Sequence, residues 1–188
     1  MKPLLVLLLL VFTTCLAAER PAAAPGFEWL SLKEMHCDVQ VPIGWNYGVT
    51  TVENTKVLRV SPAPVVEGRG IDVGFTLNVI RAKSQKEWQT AMEFVGTVMG
   101  EIREATVAPI QSTVKEEDGM LIMIVEGERF LPKSPRPEKK YHVRTVARAF
   151  GEYKTVYVYS FGAPVDEWPE SWKKGSAMLN PVFFRLSK

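Results

Sequence analysis

Several groupings in this chain have the residue types that chemistry needs. His36-Cys37 sets an imidazole beside a thiol, and a neighbouring imidazole can lower a thiol pKa and make a nucleophile. His36, Asp38 and His142 are of metal-ligand type, but two histidines with neither HxxxH nor CxxC spacing are a weak zinc signal. Glu116-Glu117-Asp118 supplies carboxylates for acid/base work, although the Gly119 that follows marks a turn in which solvated charge is the ordinary role. Lys133, Arg136, Lys139 and Lys140 form a basic cluster of the nuclear-targeting or anion-binding kind, interrupted by Glu138. No GxSxG, P-loop or GxGxxG pattern occurs, and no cofactor is expected.

The elements that must position these groups decide between their roles. Met35, Cys37, Val39 and Val41 alternate with His36, Asp38 and Gln40, and adjacent strand residues point to opposite faces. Cys37 therefore belongs to the core, while His36 and Asp38 face the polar side, and these two and His142 are expected to be solvated strand residues. The basic cluster lies between Leu131 and Lys140, a segment with three prolines that reads as a stiff, exposed, solubilising loop.

The hairpin formed by Tyr141 to Phe150 and Tyr153 to Phe161 says more. With Gly151-Glu152 as a two-residue turn, Arg144 pairs with Tyr159, Val146 with Tyr157, Arg148 with Thr155 and His142 with Phe161 on one face. Ala147, Val156 and Val158 share the other face, small and apolar enough to pack on a helix. Arg144, Arg148, Tyr157 and Tyr159 are the candidate binding residues, because cations alternating with aromatics are typical of recognition surfaces. Arginine stems and rings that merely cover the sheet would give the same pattern.

Elsewhere, Ile71 to Val79 alternates as a strand. Ser84 to Glu87 is a capping box opening a helix whose stripe is Trp88, Ala91, Met92, Val95, Val98, Met99 and Ile102. That stripe is read as core. Met120 to Val125 is apolar throughout and is expected to be a central strand covered on both faces. Pro169 suits the first turn of a second helix, with Trp168, Trp172, Ser176 and Leu179 on one edge, before a closing strand from Val182. Two helices among hairpin-connected strands indicate an α+β fold with a mostly antiparallel sheet.

At the N-terminus, Lys2 precedes the unbroken apolar run Leu4 to Phe12, and Ala17-Ala18 suits a signal peptidase. The run is far shorter than the roughly twenty residues needed to span a bilayer. Residues 1–18 are thus expected to be a cleavable signal peptide, 19–26 a flexible Pro/Ala/Gly leader, and 27–188 a single domain. The localisation expected is the periplasm or extracellular space, with lipidation at Cys15 as the rival. With Lys2 removed from the 23 basic residues, 22 face 21 acidic ones, so bulk charge favours neither nucleic acid nor an anionic membrane. If Cys15 leaves with the signal, Cys37 is the sole thiol, and no intramolecular disulfide can form.

Cys37-Asp38-Val39-Gln40-Val41-Pro42-Ile43-Gly44-Trp45 resembles the strand, proline, glycine and tryptophan opening of a known superfamily. Its members include the extrinsic PsbP proteins of photosystem II, the bacterial DcrB-like envelope proteins and a Ran-binding relative. Val156 to Pro164, with the Trp-bearing helix and Val182-Phe183-Phe184, is similar to the family's last strand, helix and closing strand. The resemblance implies a PsbP-like sandwich, an antiparallel sheet with helices on both faces, and accessory or binding roles without catalysis. Metal sites of some members find no matching ligand residue here. The resulting expectation is an exported, non-enzymatic protein that binds a partner, most naturally a protein. Its rivals are a small hydrolase or thiol enzyme using Cys37 or a carboxylate pair, and a carrier of a small apolar ligand.

Overall fold

Period-two apolar patterning produces two antiparallel sheets in a computed structural model that describes residues 20–52 and 55–186. The segment expected to be a signal peptide lies outside the described residues. In the smaller sheet β1 (Phe27–Leu32) pairs with β2 (Cys37–Pro42), and β10 (Phe183–Phe184) closes the other edge of β2. The alternation was expected to carry β2 back to Met35. Instead Lys33–Met35 forms a 3-10 turn that ends on His36 in the left-handed region, at φ 52°, reversing the chain from β1 into β2.

The larger sheet holds β3 (Asn46–Val52), β4 (Thr55–Ser61), β5 (Gly74–Arg81), β6 (Ala108–Glu117), β7 (Met120–Phe130), β8 (Lys140–Phe150) and β9 (Thr155–Pro164). Their order across the sheet is β3-β4-β5-β9-β8-β7-β6, with every neighbouring pair antiparallel. β7 is therefore next to the β6 edge, not central as expected. It is apolar on both sides because Leu121, Met123 and Val125 meet one helix while Ile122 and Ile124 belong to the core of the opposite face.

Helix α1 (Gln85–Glu104) starts on the expected capping box: Ser84 Oγ accepts from Glu87 N at 3.1 Å, and the Glu87 carboxylate accepts from Lys83 N at 2.8 Å. Its buried residues Ala91, Val95 and Met99 face the large sheet, where Val125, Ala147, Ala149 and Val156 complete a small core. Helix α2 (Trp168–Leu179) lies on the other face. A Cβ on Gly175 would stand 2.4 Å from the Phe161 ring, so glycine is what permits this close approach of helix to β9. The small sheet joins α2 there, and Cys37, Val39 and Val41 share a core with Leu58, Phe75, Leu77, Tyr157, Tyr159, Phe161 and Met178. The architecture is the expected α+β sandwich with helices on both faces of an antiparallel sheet.

Two expectations need correction. The β8–β9 connection is four residues long, 151–154, with Lys154 at φ 47°. Arg148 accordingly pairs with Tyr157, Val146 with Tyr159 and Arg144 with Phe161, a slip of two from the expected register that leaves every side chain on its expected face. Nor do residues 20–26 run free. Arg20 bonds the Asp38 carboxylate at 3.1 Å and Ala24 N bonds Gln40 Oε1 at 2.9 Å, which buries the outward-facing side chains of β2. Among the described residues, no helix is long and apolar enough to cross a membrane.

Candidate functional site

Helix α2 and the small sheet cover β4, β5 and β9 but stop short of the β6–β7 end of that face. The uncovered end is an open cleft of about 360 Å³ between the β6–β7 hairpin and the last turn of α2. Its apolar lining is Met120, Ile122, Ile124, Val146 and Leu179, of which Ile122, Val146 and Leu179 are buried and Met120 and Ile124 partly so. Lys115, Arg144 and Arg148 bring positive charge to it, and Glu117 and Asp118 bring negative charge.

The cations differ in how far they are already engaged. Arg144 bonds the Glu126 carboxylate at 2.5 Å and Gln111 Oε1 at 3.3 Å, and its guanidinium carbon stands 5.8 Å from the Trp172 ring centre. Glu126 also bonds His142 Nε2 at 3.1 Å, and the His142 ring stacks on Trp168 at 4.0 Å. Arg144 thus belongs to a satisfied polar cluster. Lys115 pairs with Glu117 at 2.7 Å in an exposed contact of small energetic weight. Arg148, by contrast, has no hydrogen bond or ion pair among the described residues, and its buried Nε has no partner. Its guanidinium lies near rings, 5.9 Å from the centre of Tyr159 and 5.5 Å from that of Phe184, and near enough to Glu117 to help hold that carboxyl below its ordinary value.

Tyr159 adds a second unengaged group. Its hydroxyl is buried and has no partner among the described residues, and the residue lines the cleft. Burial pushes its pKa up to about 12 against the pull of Arg148 and Arg144, so at neutral pH the phenol is a donor. Tyr157 is equally buried but satisfied, donating to the His36 carbonyl at 3.2 Å, and burial raises its pKa as well.

Of the candidate binding residues, Arg144, Arg148, Tyr157 and Tyr159 do share one face of the sheet, with Ala147 and Val156 buried on the other. The tyrosines are not exposed, however: both are fully buried, because α2 and the small sheet pack over β9. The sheet therefore does not present two exposed rings flanked by arginines: the face carries a cleft lined by Arg144, Arg148 and the buried Tyr159, and Tyr157 is not part of that lining. Lys115, Leu179 and Asn180 escaped sequence reasoning, since only the tertiary fold carries β6 and the end of α2 to this place.

The remaining candidates are spread apart. Cys37 is fully buried, and burial, with Asp38 beside it, pushes its thiol up to about 12, the reverse of an activated nucleophile. Burial and the cations Arg81, Arg185 and Lys56 hold His36 below its ordinary value. Asp38, expected to be solvated, is buried between Arg20 at 3.1 Å and Arg185 at 2.7 Å. Among the described residues no group of His, Cys, Asp and Glu is arranged to hold a metal ion. Arg136 and Lys139 of the basic loop are engaged with Asp72, Glu167 and Asp166. Glu117 faces the cleft, but Lys115 holds its carboxyl below the usual range, whereas a general acid needs a raised value. On the opposite face, a groove of about 580 Å³ runs between β5 and the first turns of α1, with Ile80, Ala91 and the exposed Phe94 in its wall.

No family model matches the chain. No curated protein matches it at a significant level. Among solved structures, cyanobacterial PsbP from Synechocystis is similar over 90% of this chain and 98% of its own, with 11% identity and a TM-score of 0.51. The Ran-binding protein Mog1p of Saccharomyces cerevisiae matches over 85% of this chain and 95% of its own, at 10% identity and a TM-score of 0.43. A Pseudomonas aeruginosa protein of unknown function matches over 82% and 96%, at 13% identity and 0.40. The fold of this chain is the PsbP-like sandwich, a statement that rests on the first of these likenesses.

Proposed function

We propose that this chain is an exported, non-enzymatic binding protein that docks a partner protein over the cleft between the β6–β7 hairpin and the end of α2. The observation that carries this reading is Arg148: a guanidinium at the edge of a partly apolar cleft, with a buried Nε that nothing in the described protein satisfies. Natural proteins satisfy nearly all buried polar atoms, and of the four left open among the described residues two, Arg148 Nε and the Tyr159 hydroxyl, belong to residues lining this one cleft, which supports an external partner there. Arginine next to apolar surface is also the composition of binding hot spots. The non-enzymatic part of the reading is favoured by two groups whose chemistry runs against the rival enzyme: the buried Cys37 thiol is pushed up to about 12, and Lys115 holds the Glu117 carboxyl below its ordinary value. Export is supported by the composition of residues 1–18.

A photo-crosslinking side chain at Lys115 tests the docking in the native host. One discrete adduct is expected there, with none at Lys86 on the α1 side; no adduct at Lys115, or equal adducts at both positions, overturns it. Intact mass of the exported protein tests the export. A mature N-terminus near Ala18 or Glu19 is expected, and a diacylglycerol mass on Cys15 would establish anchoring instead.

The groove beside α1 favours a second reading, the carriage of a small apolar ligand. Organic extraction of the purified protein followed by mass spectrometry distinguishes the two, because a carrier yields a stoichiometric apolar compound and a docking protein does not.

A further inference from the structure

We infer that the cleft holds a single carboxylate of the partner, an acidic side chain flanked by apolar residues, between the guanidinium of Arg148 and the hydroxyl of Tyr159. This rests on the docking proposed above and names the chemistry of the anchor. Two buried donor atoms without a partner among the described residues belong to residues that line it, Arg148 Nε and the Tyr159 hydroxyl, and the Arg148 guanidinium carbon stands 5.9 Å from the Tyr159 ring centre. A protonated phenol donates one hydrogen bond and a guanidinium donates paired ones, so together they suit the two oxygens of a carboxylate.

The surrounding charge selects a monoanion over a dianion. Lys115 is paired with Glu117, Arg144 with Glu126, and Asp118 stands on the turn at the cleft mouth, which leaves no excess positive field around Arg148. Lys115, Arg144 and Arg148 stand against Glu117, Asp118 and Glu126, so a phosphate dianion would add twice the uncompensated negative charge that one carboxylate adds. Met120 and Ile124, the partly buried apolar residues of the lining, supply surface for the neighbouring side chains of the ligand. At about 360 Å³ the cleft is at the small end of ligand sites, matching one or two side chains better than a cofactor.

The test titrates the isotopically labelled protein with a blocked pentapeptide, Ala-Leu-Glu-Leu-Ala, with its Glu-to-Gln counterpart, and with inorganic phosphate, following amide NMR shifts. The Glu peptide should perturb Lys115 to Met120, Arg148, Tyr159 and Asn180 saturably, the Gln peptide should bind about tenfold more weakly, and phosphate should leave these signals in place. Arg148→Gln and Tyr159→Phe should each weaken the Glu peptide by about tenfold, with the unperturbed spectrum of each variant verifying its fold. Equal binding of the Glu and Gln peptides, shifts centred elsewhere, or saturable phosphate binding at Arg148 overturns the inference. Repeating the Lys115 crosslink in Arg148→Gln separates the two levels. An adduct of unchanged yield overturns the carboxylate anchor and leaves the docking standing, while absence of any adduct in the wild type removes the docking itself.

Discussion

Arg148 lies opposite Tyr157 in the β8–β9 ladder, yet its guanidinium also reaches the diagonal neighbour Tyr159, 5.9 Å from guanidinium carbon to ring centre. Diagonal neighbours on one sheet face are within reach of long and aromatic side chains. The arrangement separates two tyrosines of equal burial by function: Tyr157 is tied to the small sheet through the His36 carbonyl, whereas the hydroxyl of Tyr159 is uncommitted at the cleft.

Removing each hydroxyl should therefore have opposite effects on stability. Tyr157→Phe loses a bond to a buried region and is expected to cost about 1 kcal/mol, while Tyr159→Phe removes an unsatisfied donor and should be neutral or stabilising by up to about 1 kcal/mol. Urea denaturation of the two variants checks this. Equal destabilisation by both would mean that the Tyr159 hydroxyl is satisfied in solution.

Gly175→Ala should destabilise by about 1–3 kcal/mol, because the added methyl would overlap the Phe161 ring. Gly96→Ala in α1, where the methyl meets nothing within 4 Å, should stabilise by about 0.5–1 kcal/mol through helix propensity. Thermal melts of the pair would expose an error in the packing of α2 on β9 if the two shifts had the same sign.

Cys37 should resist thiol reagents in the native protein and react at once in urea. Its thiol is raised from the ordinary 9.0 to about 12, so the unfolded chain loses the proton first as pH rises. The protonated thiol's contribution to stability is full below about pH 9 and declines as pH climbs towards 12. Cys37→Ala lacks the thiol's contribution while sharing the alkaline titration of Tyr157 and Tyr159. The stability advantage of wild type over the variant, about 1–3 kcal/mol at neutral pH, should accordingly narrow between pH 9 and 10.5. A constant difference would show that the thiol is hydrated.

Asp38→Ala should cost about 2 kcal/mol, since the buried carboxylate is shared by Arg20 and Arg185 and leaves both cations half-solvated when removed. The same substitution should free the 20–26 segment, read as early protease cleavage before Phe27. Intact resistance to protease there would assign the hold on that segment to its other contacts, the Ala24 N–Gln40 bond, Trp29 Nε1 on the Pro21 carbonyl and Ile43 N on the Gly26 carbonyl.

Local chemistry determined much of this protein from sequence alone. Period-two patterning put Arg144, Arg148, Tyr157 and Tyr159 on one face and Ala147, Val156 and Val158 on the other, and a slip of two residues in the ladder left those faces unchanged because the period is itself two. The capping box at Ser84 and the apolar stripe of α1 likewise depend on neighbours within a turn or two of helix. The α+β class followed from counting such elements.

What lies over each face is a different kind of fact. Tyr157 and Tyr159 carry the same local signal whether open to solvent or under a helix; α2 and a small sheet assembled from β1, β2 and β10, residues far apart in the chain, decided the matter. The apolar run of β7 marked cover on both faces but not its place beside the edge, because strand order is set by long-range pairing. The leader's Pro and Ala content said nothing of Asp38 and Gln40, whose buried polar groups needed partners and found them in Arg20 and Ala24. The cleft belongs to this second class: its residues come from β6 to β9 and the end of α2, and it exists because α2 ends before the sheet does.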